Sequence, residues 1–176
     1  MKKMILGILV GTVATILLTV IASFFIGSKE INVKESLVIN KPISEVYAIV
    51  GDFKTWKSWS PWMEKDPNIV IEITGKPGRV NHFYSWSGND EVGEGNQKIM
   101  EIKPNKYLNV KLTFTKPIQS ESKVEWFFEE VEGGTKATWA TQSDNDFMGR
   151  VFDVFMDFNG EISKDFKKGL KNISEL

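Results

Sequence analysis

The chain has 176 residues, with 22 Lys and Arg against 23 Asp and Glu, a formal net charge of −1, a single His and no Cys. Charges this balanced and interleaved argue against nucleic acid as a partner. Without Cys there is no disulfide framework, no lipid-modified N-terminal Cys and no thiol catalysis, and one His cannot build a multi-His zinc site.

Met4 to Ile26 contain no Asp, Glu, Lys, Arg or His. At about 1.5 Å per residue the stretch reaches roughly 34 Å as a helix, slightly more than a bilayer core of about 30 Å. Hydrocarbon offers no partner for a free N–H or C=O, so a continuous transmembrane helix is predicted here. Lys2 and Lys3 precede it, whereas Lys29 and Lys34 beyond it are matched by Glu30 and Glu35. The positive-inside rule then leaves the N-terminus in the cytoplasm and the rest of the chain outside it, at the cell membrane. The competing reading is a cleaved signal peptide with Val20 and Ala22 at the cleavage site, although the apolar stretch is long for that role. Gly7, Gly11, Thr15, Thr19 and Ser23 recur every fourth residue, which suits helix pairing or simply a short anchor, so the oligomeric state stays open. The chain thus divides into an anchor, residues 1–28, and one domain of adequate size for a core, residues 29–176. The spacer Gly27 to Glu30 reaches at most about 14 Å, which keeps the domain near the lipid surface.

In the domain, Ile31, Val33, Leu37 and Ile39 mark a first strand by their period of two. Pro42 then starts a helix carrying Ile43, Val46, Tyr47, Val50 and Phe53 at helical spacing. Strands follow at Ile69 to Ile73, Val80 to Trp86, Gln97 to Ile102, Leu108 to Phe114, Val124 to Phe128 and Lys136 to Thr141. They are separated by turn residues such as Gly75 to Gly78, Pro104 with Asn105, and Gly133 with Gly134. Successive strands with no helix between them imply an antiparallel meander. A single long helix is predicted from about Phe147 to Ile173, with Asp144, Asn145 and Asp146 as candidate caps and a kink at Asn159 and Gly160. The order suggests an α+β fold, a curved seven-stranded sheet wrapped on that last helix.

Val46-Tyr47-Ala48-Ile49-Val50-Gly51-Asp52-Phe53, Trp56, Trp59-Ser60-Pro61-Trp62, Tyr84-Ser85-Trp86-Ser87-Gly88-Asn89, Val92-Gly93-Glu94-Gly95 and Phe166-Lys167-Lys168-Gly169-Leu170 carry a resemblance. Across Ile31 to Ile173 the chain resembles the START-related, or polyketide cyclase/dehydrase and lipid transport (SRPBCC), superfamily, to which the birch pollen allergen also belongs. The resemblance implies a helix-grip fold with a cavity between the concave sheet and the C-terminal helix. The transmembrane helix departs from the superfamily's usual soluble form.

The aromatic residues Trp56, Trp59, Trp62, Tyr84, Trp86, Phe114, Trp126, Trp139 and Phe155 are candidates to line such a cavity around an amphipathic guest, or else simply fill the core. Polar candidates are His82 and Tyr84, two apart on a strand, and Glu94 between two glycines. Each has a bland alternative as a surface, hydrogen-bonded or turn residue. Asp52 and Asp144 read as loop or helix-end acids. Gly75-Lys76-Pro77-Gly78 lacks phosphate-loop spacing, and nothing resembles a nucleophile elbow, so no cofactor, metal or catalytic residue is assigned. The favoured expectation is a membrane-anchored binding or carrier domain for a hydrophobic small molecule or lipid. The alternatives are a cyclase- or hydrolase-like enzyme using His82, Tyr84 or Glu94 for proton transfer, and a protein-interaction or envelope-stress module with a vestigial cavity.

Overall fold

The computed structural model describes residues 2–25, 28–145, 147–153 and 156–176, with all of their side chains except those at 23–25, 147, 148 and 152. Helix α1 (Lys2–Phe25) is long and apolar enough to cross a membrane, and no residue over Lys2–Ala22 is fully buried against the rest of the chain. The hydroxyls of Thr12, Thr15 and Thr19 each donate to the carbonyl four residues earlier, so these side chains add no unpaired donor to the helix surface.

Strand β1 (Glu30–Ile39) leads into α2 (Ile43–Gly51) and two single-turn helices, α3 (Trp56–Trp59) and α4 (Trp62–Lys65). A meander follows: β2 (Val70–Thr74), β3 (Phe83–Ser87), β4 (Glu94–Lys103), β5 (Tyr107–Lys116), β6 (Ser120–Val131) and β7 (Gly134–Asp144). Together with β1 these make one antiparallel seven-stranded sheet in the order β1-β7-β6-β5-β4-β3-β2. Period-two alternation sends Ile99, Leu108, Val110, Val124, Trp126, Phe128, Ala137 and Trp139 to one face, and all of them are buried. The chain closes with α5 (Phe147–Asp153) and α6 (Phe158–Glu175), and α6 grips the sheet at β1 and β7. This is the α+β helix-grip architecture.

The single terminal helix expected from the sequence is two helices. Asp153 accepts from the backbone of Ser28 and, at 3.3 Å, from that of Phe158. Asp157 caps α6 by accepting from the Gly160 amide at 2.9 Å. These carboxylates satisfy amides that a continuous helix would have paired with carbonyls, so the break falls before Phe158 rather than at Asn159 and Gly160. Of the expected caps, Asp144 ends β7 and Asn145 holds Ser28 and Lys29, while Asp146 lies outside the described residues.

Two large rings set the position of α6. Trp126 and Trp139 are cross-strand partners, stacked with centroids 4.4 Å apart, and Phe166 of α6 lies flat on Trp139 at 4.0 Å. Gly169, one turn further on, is what allows this approach, because a Cβ there would sit 2.8 Å from the Trp139 ring. The Asn172 amide donates to the Trp59 carbonyl, and Lys65 pairs with Asp165 at 2.7 Å, fastening α6 to the α3–α4 segment.

Candidate functional site

The concave face of the sheet is filled at one end and hollow at the other. Against α2, the side chains of Val46, Val50, Phe53, Ile99 and Leu108 close on one another with almost no exposure. Toward the other ends of β4 to β7, sheet and helices stand apart around a cavity with two lobes, one of ≈ 540 Å³ and one of ≈ 110 Å³. Trp62, Gln97, Leu112 and Phe114 line both lobes, so the two meet there. The larger volume falls within the range of roughly 300–1,000 Å³ typical of small-molecule sites.

Each wall follows from local sequence. Strand alternation brings Gln97 of β4, Leu112 and Phe114 of β5, and Trp139 and Thr141 of β7 to the inner face, and α6 contributes Ile162 and Phe166. In the smaller lobe Trp86 packs edge-on against Phe114 at 5.4 Å and donates from Nε1 to the Val92 carbonyl. That placement requires Gly95, whose Cβ would meet the Trp86 ring at 2.6 Å. Gly93 has φ +63°, and a Cβ there would lie 2.4 Å from the Lys116 carbonyl oxygen, which keeps a side chain out of this crossing.

Two polar groups on the wall lack partners. Gln97 is 8% exposed and Trp139 is 2% exposed, and neither Gln97 Oε1 nor Trp139 Nε1 has a hydrogen bond. An unmade bond of this kind costs about 1–3 kcal/mol, so a guest carrying a matching donor and acceptor would recover stability here. Burial pushes the Tyr84 hydroxyl in the smaller lobe up to about 12, so it remains protonated near neutrality.

Among the residues singled out from sequence, Trp56, Trp62, Tyr84, Trp86 and Phe114 share the smaller lobe, and Trp62, Phe114 and Trp139 the larger. Trp59 and Trp126 are packed within the aromatic core and reach neither lobe. His82 precedes β3 rather than lying on it, is fully buried, and stacks on Phe53 at 4.7 Å, away from the cavity wall. Its Nε2 accepts from the Phe53 amide at 3.2 Å and its Nδ1 faces the Thr74 carbonyl at 3.0 Å, which assigns the ring proton to Nδ1. Glu94 turns outward to Lys116 at 3.0 Å, and that hydrogen-bonded ammonium, helped by Ser87, holds its carboxyl below the usual range. Phe155 lies outside the described residues. The inward Gln97, Leu112 and Ile31 escaped the sequence reading. Gln97 had a usable signal, a polar side chain in register with Gly95 and Ile99 on an otherwise buried face.

The sequence profile described as Polyketide cyclase / dehydrase and lipid transport matches residues 30–175. The chain belongs to this family. Among solved structures it resembles a protein from Chromobacterium violaceum, at 11% identity over 82% of this chain and 95% of the other, with a TM-score of 0.60. It also resembles the Aha1 dimer from Colwellia psychrerythraea, at 17% identity over 82% and 93%, with a TM-score of 0.58. The di-domain ARO/CYC protein StfQ from the steffimycin biosynthetic pathway is matched at 11% identity over 83% of this chain and 50% of its own, with a TM-score of 0.59. At such identities the likeness is one of fold. No curated protein matches the chain in sequence.

In this family member the larger lobe opens near the chain that leaves α1. Exposed Ile118 and Gln119 of the β5–β6 connection, with Ser120 at the start of β6, line the lobe together with Ile31 of β1 and Ser143 of β7. Ile31 follows Phe25, the last residue of α1, by a stretch that spans at most about 20 Å when extended. The intervening chain is tied to the rim: the Ser28 amide donates to Asp153 of α5 at 2.9 Å, and Asn145 donates to the Ser28 carbonyl at 3.0 Å.

Proposed function

We propose that this protein is a membrane-anchored binding or carrier domain, with residues 1–28 as the anchor and residues 29–176 holding a hydrophobic or amphipathic small molecule outside the cytoplasm. The observation that carries the reading is the two-lobed cavity, lined by aromatic and aliphatic side chains together with the unpartnered Gln97 and Trp139, in a fold family described by lipid transport as well as cyclisation. Its mouth adjoins the chain leaving α1, which suits a guest that partitions between bilayer and cavity.

Weighing against proton transfer as the task of this cavity, His82, Tyr84 and Glu94 do not converge. Both His82 nitrogens are engaged by backbone groups, and Glu94 is ion-paired on the outer side. The test is native mass spectrometry of the full-length chain released from membranes. A stoichiometric apolar mass bound to the wild type and lost from Phe114→Arg supports the reading. A wild-type chain that emerges empty and takes up no added amphiphile overturns it.

A further inference from the structure

Every charged side chain on the walls of the two lobes is acidic: Glu91 at the smaller, and Glu121, Asp144 and Asp165 at the larger. Among the described residues no Lys or Arg lines either lobe, and the positions outside the description contain none. Two of the wall acids are already paired with ammonium groups, Asp165 with Lys65 at 2.7 Å and Glu121 with Lys111 at 2.6 Å. Arg150 follows Gly149 of the wall without being on the wall itself. The polar atoms on the walls that lack partners are both neutral, an acceptor at Gln97 Oε1 and a donor at Trp139 Nε1, while off the wall Arg150 Nε is also buried without a partner.

A carboxylate or phosphate entering this space would pass acids at the rim and then shed its water with no cation on the wall to replace it, the costliest kind of burial. A hydroxyl or carboxamide carries no such penalty and can donate to Gln97 Oε1 or accept from Trp139 Nε1, making one of the bonds these two groups leave unmade. A protonated amine gains little inside, because Asp165 and Glu121 are paired and Glu91 and Asp144 are exposed to water. We infer that the cavity selects an uncharged amphiphile with a hydroxyl or primary carboxamide head, and rejects fatty acids and anionic phospholipids of the same chain length. This rests on the carrier reading above and adds the class of head group to it.

The test compares tetradecanol, tetradecanamide, tetradecane and tetradecanoate on the full-length chain held in a non-ionic amphipol. It is run at about pH 8, where the carboxylate is ionised, and is read by the fluorescence of the wall residues Trp62, Trp86 and Trp139. The alcohol and amide are expected to bind about tenfold or more tighter than the carboxylate, a difference of about 1.4 kcal/mol. Gln97→Met should bring the alcohol down toward the alkane while leaving the alkane unchanged. Ser143→Arg, which puts a cation on the wall, should admit the carboxylate. A wild-type chain that binds the carboxylate as tightly as the alcohol overturns the assignment, and loss of that binding in Arg150→Gln would move the head-group site to α5. Equal binding of alkane and alcohol overturns the role of the polar pair. If no member of the series binds, it is the carrier reading itself that fails.

Discussion

Strand β5 runs through both halves of this molecule, and its inner face shows how differently they are built. Leu108 and Val110 are 1% and 2% exposed beneath α2, whereas Leu112 and Phe114, next on the same face, stand partly uncovered in the cavity. Their partners on β4 change in step, from Ile99 opposite Val110 to Gln97 opposite Leu112 and Gly95 opposite Phe114. The alternation is equally regular along both stretches. What differs is the cover: α2 lies close over the first, while α5 and α6 bridge the second at a distance set by the Trp139–Phe166 stack. A packed end gives the domain its stability, and a spaced end leaves room for a guest.

The sharpest way to break this comparison is to truncate one residue from each half. Ile99→Ala should cost about 2–5 kcal/mol in urea unfolding, and Leu112→Ala, whose neighbours already include empty space, about 1 kcal/mol or less. Equal losses would mean that the two halves are packed alike. His82 tests the packed end by polarity instead. His82→Leu strands the Phe53 amide and the Thr74 carbonyl and should cost about 1–3 kcal/mol, without altering the uptake of an amphiphile followed by tryptophan fluorescence.

A pH titration probes the boundary between the halves, where Tyr84 packs near Phe53 on one side and Trp86 on the other. Its hydroxyl moves from an ordinary value of 10 in the unfolded chain to about 12 in the fold. The folded chain therefore holds this proton more tightly, so the contribution is complete below pH 10 and is lost as pH rises through about 12, at most about 3 kcal/mol. Burial raises Tyr107 as well, aided by its bond to Glu125, and so the measurement is the difference between wild type and Tyr84→Phe in alkaline unfolding. A bound guest in the smaller lobe should delay the ionisation of Tyr84 followed by tyrosinate absorbance. The smallest effect is expected at Gln97. In the empty chain Gln97→Leu removes an unpaired acceptor and should shift stability by about 1 kcal/mol or less, in the stabilising direction.

Much of the fold was legible before any coordinates. Period-two runs such as Val124, Trp126 and Phe128 can bury their side chains only as strands, and the turn at Gly133 and Gly134 joins β6 to β7 as those residues require. The break between α5 and α6 was not legible, because apolar spacing continues across it while the decision belongs to Asp153 and Asp157 capturing amides. The site was legible by class more than by residue. Aromatic candidates were numerous, yet Phe114 and Trp139 face open space while Trp126, on the same face of the sheet, is enclosed by Trp139, Trp59 and Phe128. His82 drew attention as the one histidine, and its partners at Phe53 and Thr74 come from segments that local pattern cannot bring together.

From its residues alone this chain determined an uninterrupted apolar helix, the meander and its inward faces, because these depend on local periodicity and on the pairing of every backbone group. The tertiary structure alone decided that β1 closes onto β7, that α6 rests on Trp139 at a distance permitted by Gly169, and that one end of the sheet stays unfilled. Apolar character drives a side chain out of water whether it meets a neighbour or a cavity. The difference between those two outcomes arises when separate elements are set at a definite spacing.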